Sequence, residues 1–155
     1  MKTQKSIDIT LLITRLIVGA VVFAHGAQKL FGWFGGYGFE GSMGFFINDI
    51  GLPYIFAFLI IIAESLGMIA LIAGFLSRIV SGALVLIMLG AIVTTHFQYG
   101  FFMNWEGAQP GEGFEFHLLV IALSLVTVLN GAGSYSVDHV LLKTFRSKAA
   151  QPLFG

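Results

Sequence analysis

Long apolar stretches separated by short polar or glycine-rich links run through the chain, and four are long enough to read as helices crossing a bilayer, which takes about 20 mostly apolar residues. The first covers residues 8–31 and carries Arg15, His25 and Lys29, whereas the second, 54–75, carries only Glu64. After a short Leu76-Ser77-Arg78 link the third covers 78–97, with no charged residue from Ile79 to Thr95. The fourth covers 114–131, and after Glu115 no Asp, Glu, Lys or Arg appears before Asp138. The pattern predicts an all-α fold, a single domain over 1–155 built as a membrane four-helix bundle.

The links carry their own signals. Gly32 to Pro53 reads GWFGGYGFEGSMGFFINDIGLP, rich in glycine and aromatic residues, with Phe45, Phe46, Ile47 and Ile50 spaced for a short interfacial helix. This predicts an interfacial or re-entrant cap between spans 1 and 2. Gln98 to Gly113 places Tyr99, Phe101, Phe102 and Trp105 at the depth of an aromatic belt, with a Pro110-Gly111 turn. After the fourth span, Ser136 can cap an amphipathic tail over 136–148, in which Val137, Val140, Leu141 and Phe145 recur at helical spacing beside Lys143 and Arg146.

Composition and charge narrow the function classes. The chain is 57% hydrophobic and 10% charged, with mean hydropathy +0.90, far from the charged fraction of a soluble domain. Eight basic and eight acidic residues cancel, so no basic field exists for nucleic acid. With no cysteine there is no disulfide, thiolate nucleophile or Cys-ligated cluster. Lys2, Lys5, Arg78, Lys143, Arg146 and Lys148 fall on one side of the predicted spans and only Lys29 near the other. The positive-inside rule then places both termini in the cytoplasm. Lys2 and Lys5 before an apolar run imitate a signal peptide, but Arg15, the length of the segment and the missing cleavage site argue for retention.

Ionisable groups at membrane depth are costly and mark pairs, water-filled cavities or function. Arg15, about 10 Å into the first span, and Glu64, midway along the second, are candidate partners: either a structural pair fixing helix register or a proton-exchanging or ligand site. Towards the outer face His25, Gln28 and Lys29 share a stripe of the first span, and His96, Glu115 and His117 reach a similar depth. This layer has the makings of a ligand pocket. It lacks the HxxxH or ExxH spacing that sets two metal ligands on one helix face, so no metal is assigned. The pairs Gly19/Gly26, Gly67/Gly74 and Gly82/Gly90 read as small-residue stripes for close helix packing. Gly35-Gly36-Tyr37-Gly38 lacks the Lys-Ser/Thr and strand context of a phosphate loop.

Arg15, His25-Gly26-x-x-Lys29-Leu30-Phe31-Gly32, Phe34-Gly35-Gly36-x-Gly38, Gly51-Leu52-Pro53, Glu64-x-x-Gly67, Gly74-x-x-x-Arg78, Gly100-Phe101-Phe102-x-Asn104 and Phe114-Glu115 resemble, in order and spacing, the DoxX family. The resemblance runs from about Leu12 to Asp138, with Met68 standing where many members have a second glycine. It implies a small four-helix inner-membrane protein, in a family named for likeness to the membrane subunit of a thiosulfate:quinone oxidoreductase. Some relatives are linked to membrane redox complexes and others look like cargo receptors or assembly chaperones, so the family identifies the fold better than the reaction.

Two functions are therefore expected. One is a quinone-interacting oxidoreductase subunit, with His25 and Glu64 as proton-handling catalytic residues and Arg15, Gln28, Lys29, Arg78, His96, Asn104, Glu115 and His117 as ligand-binding candidates. Its quinone would be the cofactor, the bilayer its solvent, and a soluble redox subunit or a second copy its partner. The other is a non-catalytic membrane binding or assembly module whose Gly- and Phe-rich outer loops make the contact. A small-solute transporter is less well supported, because four spans are few and no inverted repeat is seen.

Overall fold

The computed structural model describes residues 2–149, and among these the regular structure is entirely helical. Helix α1 is Lys2–Phe31 and ends at Gly32, whose φ of 72° is the left-handed conformation that lets a chain leave a helix. A tight turn at Trp33–Gly35 leads to α2, Gly38–Gly44, which runs on through a wider π-helical turn at Phe45–Asp49. Helix α3, Tyr54–Ala73, follows Pro53, whose missing N–H costs no hydrogen bond at a helix start. Helix α4 is Ser77–Tyr99, α5 is Glu115–Asn130 and α6 is Val137–Ala149.

The expected cap exists: Met43 of α2 packs on Ala57 and Ile61 of α3, with Leu30, Phe39, Phe46, Ile47 and Phe58 around them. The expected amphipathic tail exists as α6, although the side chains of Lys2, Arg146 and Lys148, counted above among the inner cations, lie outside the described ones.

Helices α1, α3 and α4 are long and apolar enough to cross a membrane. Helix α5, expected as a fourth span over 114–131, is apolar but only 16 residues long. At 1.5 Å per residue it measures about 24 Å, short of a hydrocarbon core of about 30 Å.

The four pack as two antiparallel pairs, α1 on α3 and α4 on α5, joined by α1–α5 and α3–α4 contacts. Gly19 and Gly26 make the first pair close: a Cβ on Gly26 would stand 2.0 Å from the Glu64 carbonyl oxygen, and one on Gly19 would meet Ile72 and Met68. Gly67 makes only ordinary contact, and Gly82 and Gly90 face open space, so the stripe expected on α4 packs against nothing among the described residues. Val18, Val22, Met68, Leu71, Leu84, Met88 and Val120 fill the middle of the bundle. Leucines and isoleucines such as Ile17, Leu59, Leu86 and Leu129 are exposed on its outside, a surface suited to lipid.

The end of the bundle holding the α3–α4 turn is tied by polar contacts. Gly74 (φ 75°) closes α3 with paired backbone bonds, Gly74 to Leu71 and Phe75 to Ala70. The Asp138 carboxylate of α6 accepts from the N–H groups of Leu76 and Ser77, capping α4 from a distant element. Asp8 accepts from the backbone and hydroxyl of Ser134. Ser136 caps α6, as expected, by accepting from the N–H of His139.

Candidate functional site

Arg15 is completely buried and does not meet Glu64. Its Nη1 donates to the carbonyls of Leu71 and Ile72, both at 3.1 Å, and its Nη2 to the carbonyl of Tyr135 at 2.7 Å. A cation here sits on the carbonyl-rich end of α3, where the helix dipole is negative. Gly74 leaves it room, because a Cβ there would stand 2.4 Å from Nη1. Arg15 thus joins α1, α3 and the α5–α6 link, the structural role of the two weighed above, with carbonyls in place of the carboxylate.

Glu64, 4% exposed, pairs instead with Lys29, whose Nζ lies 2.6 Å from Oε2. The approach is off-axis, so Oε2 has a close cation but no aligned hydrogen bond. Helix register explains the choice. Gly26 seats α1 against the backbone of Glu64, and Lys29 follows three residues later on the same side. Glu64 also lies in a π-helical turn, Ala63–Gly67, that widens α3 at this level. Such turns are frequent where a side chain is put to functional use.

His25, Lys29 and His96 all lie within electrostatic range of buried His117, and Glu64 within range of His25. The His96 and His117 rings are 4.1 Å apart between centroids. His96 closes a second π-helical turn, Ile92–His96, and its Nδ1 lies 2.8 Å from the Glu112 carbonyl, so Nδ1 donates and Nε2 is left as an acceptor. The Nδ1 of His117 is buried with no partner, a polar atom awaiting a ligand or water. His25 lies against Phe116, 5.8 Å between ring centroids, and is exposed at the side of the bundle. The result is a polar layer of one ion pair and three imidazoles, drawn from α1, α3, α4 and α5.

Other expected residues serve elsewhere. Gln28 donates to the Phe34 carbonyl at 3.4 Å, holding the turn after α1. Glu115 accepts from the Met103 N–H at 2.9 Å, and Asn104 closes the outer loop through reciprocal bonds with Gln109. Arg78 is at the opposite end of the bundle, donating to the Val128 carbonyl at 2.7 Å. Among the described residues no three His, Asp or Glu side chains gather to hold a metal ion.

Phe116 and Asp138 were not anticipated. Phe116 was signalled only by its adjacency to His117, and Asp138 by an acidic residue in the first turn of the tail helix.

The DoxX family profile matches residues 10–97. Among curated proteins, the "Putative oxidoreductase CatD" of Bacillus subtilis (strain 168) is 31% identical over 140 residues, covering 90% of this chain and 92% of that one. No solved structure matches it. The matched segment contains Arg15, His25, Lys29, Glu64 and Arg78, and with three helices long and apolar enough to cross a membrane, the chain belongs to the DoxX family.

Proposed function

We propose that the chain is the membrane subunit of an oxidoreductase, that a quinone binds at the polar layer between α1, α3, α4 and α5, and that all four helices span the inner membrane with both termini on the cytoplasmic side. The observation that carries this reading is the ion pair of Lys29 with buried Glu64, together with the buried, unpartnered Nδ1 of His117. Charges and unsatisfied polar atoms at such depth are retained when they bind or move something. The likeness to a protein named as a putative oxidoreductase supports this reaction class.

The residues fit a quinone by their chemistry. Lys29, and His117 in the tautomer protonated at Nδ1, offer donors to ring oxygens, Phe116 and His25 offer ring faces, and the exposed side of His25 opens towards lipid, from which a lipophilic ligand enters. Bound there, a quinone would supply two-electron, two-proton redox capacity. Glu64 is the proton-handling group beside the ligand, and His25 exchanges protons with the outside. Electrons come from a soluble substrate or partner subunit, since the chain has no cysteine.

A second reading, a non-catalytic binding or assembly module, draws on the outer loops, where Tyr37 is 87% and Trp105 85% exposed. One experiment separates the two. Membranes lacking the protein are complemented with wild type or Glu64→Gln, and quinone-dependent turnover is divided by protein abundance. A per-chain loss of at least about 100-fold, in the range for removing a general acid or base, supports the redox site. A loss that only follows abundance supports the module and overturns the proposal.

A further inference from the structure

At the end of the bundle away from the polar layer of Lys29, Glu64 and His117, α6 is tied down near its start and then stands off the other helices. A groove of about 850 Å³ separates it from them. Ile7 and Leu11 of α1, Ile79 of α4, and Leu142 and Phe145 of α6 line this groove. Ile79 and Phe145 are 69% and 67% exposed, so the described residues leave the apolar wall uncovered. Water is a poor partner for such a wall, and acyl chains are a good one.

The charges beside the groove are unequal in their commitments. Both oxygens of Asp8 are occupied by Ser134, and both oxygens of Asp138 by the N–H groups of Leu76 and Ser77. Arg78, in the same wall, gives one bond to the Val128 carbonyl and has no carboxylate at ion-pair distance among the described residues. Its remaining guanidinium donors are available to an anion, and a planar fork of this kind suits phosphate. Lys143 adds a second cation on α6. An apolar floor with a free guanidinium at its edge, level with the ends of membrane-crossing helices, has the complementarity of an anionic amphiphile.

We propose that this groove binds one anionic phospholipid, its phosphate held by Arg78 and an acyl chain lying along Ile79, Leu142 and Phe145. The bound lipid would complete the seating of α6 on the bundle. The proposal needs only that the helices sit in a membrane, and it is independent of the redox reading.

Native mass spectrometry of the full chain in detergent tests it, with phosphatidylglycerol or phosphatidylcholine added at equal mole ratio. Wild type is expected to retain a single phosphatidylglycerol, with phosphatidylcholine retained at least tenfold less. Arg78→Gln should bring the first down to the level of the second, and Arg78→Lys should restore part of it. Leu142→Asn, which touches no helix-end hydrogen bond, should weaken retention of both lipids while keeping the preference for phosphatidylglycerol. No retained lipid, equal retention of the two lipids by wild type, or undiminished phosphatidylglycerol in both Arg78→Gln and Leu142→Asn would overturn it.

Discussion

Arg15 and Lys29 sit on one helix, and each answers the cost of a membrane-embedded cation differently. Arg15 donates to three carbonyls, two of them at the end of α3, and its removal leaves those of Ile72 and Tyr135 without a donor, whereas that of Leu71 keeps the N–H of Gly74. Each costs about 1–3 kcal/mol. Arg15→Met is therefore expected to lower the stability of the purified protein by several kcal/mol, read as a drop in melting temperature. A melting temperature equal to wild type would contradict the latch. Both sequence candidates for a buried pair were visible, but their partners were not, because pairing depends on the register of α1 against α3. That register is fixed where Gly26 meets Glu64, which leaves Arg15 eleven residues away, about 16 Å along the helix. Asn104 and Glu115 were legible as polar residues near the outer face. Their use in building a loop was not, since spacing along the chain carries no information about which distant backbone N–H a side chain will meet.

At the scale of elements, the same small-residue pattern has two outcomes. Gly19/Gly26 and Gly82/Gly90 look alike in sequence, yet the first pair lets α3 approach α1 and the second faces open space. A small-residue stripe shows that a face can be approached closely, not that another helix arrives. Gly26→Ala should force α1 off α3, separate Lys29 from Glu64 and reduce both folded yield and per-chain activity. Gly82→Ala should be neutral or stabilising by up to about 1 kcal/mol from helix propensity. Thermal melts of the two variants in one detergent give the comparison, and equal destabilisation would contradict the packing described. The helices themselves were readable because apolar length is written directly in composition, and their ends because Pro53, Gly74 and Ser136 punctuate them. The π-helical turns that widen α3 at Glu64 and α4 at His96 were not, since they add no distinctive residue to the sequence.

For the whole molecule, two polar ends enclose an apolar middle. One end is a latch built from Arg15, Asp8 and Asp138, and the other a polar layer built from Lys29, Glu64 and His117. The proposed orientation puts the latch in the cytoplasm. Because the chain has no cysteine, single introduced thiols report it without background. In intact cells Trp105→Cys should react with a membrane-impermeant maleimide and Lys143→Cys only after permeabilisation; the reverse pattern would invert the topology. The central claim, that a quinone binds at this polar layer, is tested most directly by extracting the protein purified gently from its native membranes and measuring quinone per chain by mass spectrometry. Wild type and His25→Ala, matched for folding, are compared with an unrelated membrane protein of similar size. Near-stoichiometric quinone in wild type, falling several-fold in the variant, is the predicted result. Quinone no higher than in the unrelated protein, or unchanged by His25→Ala, would contradict it.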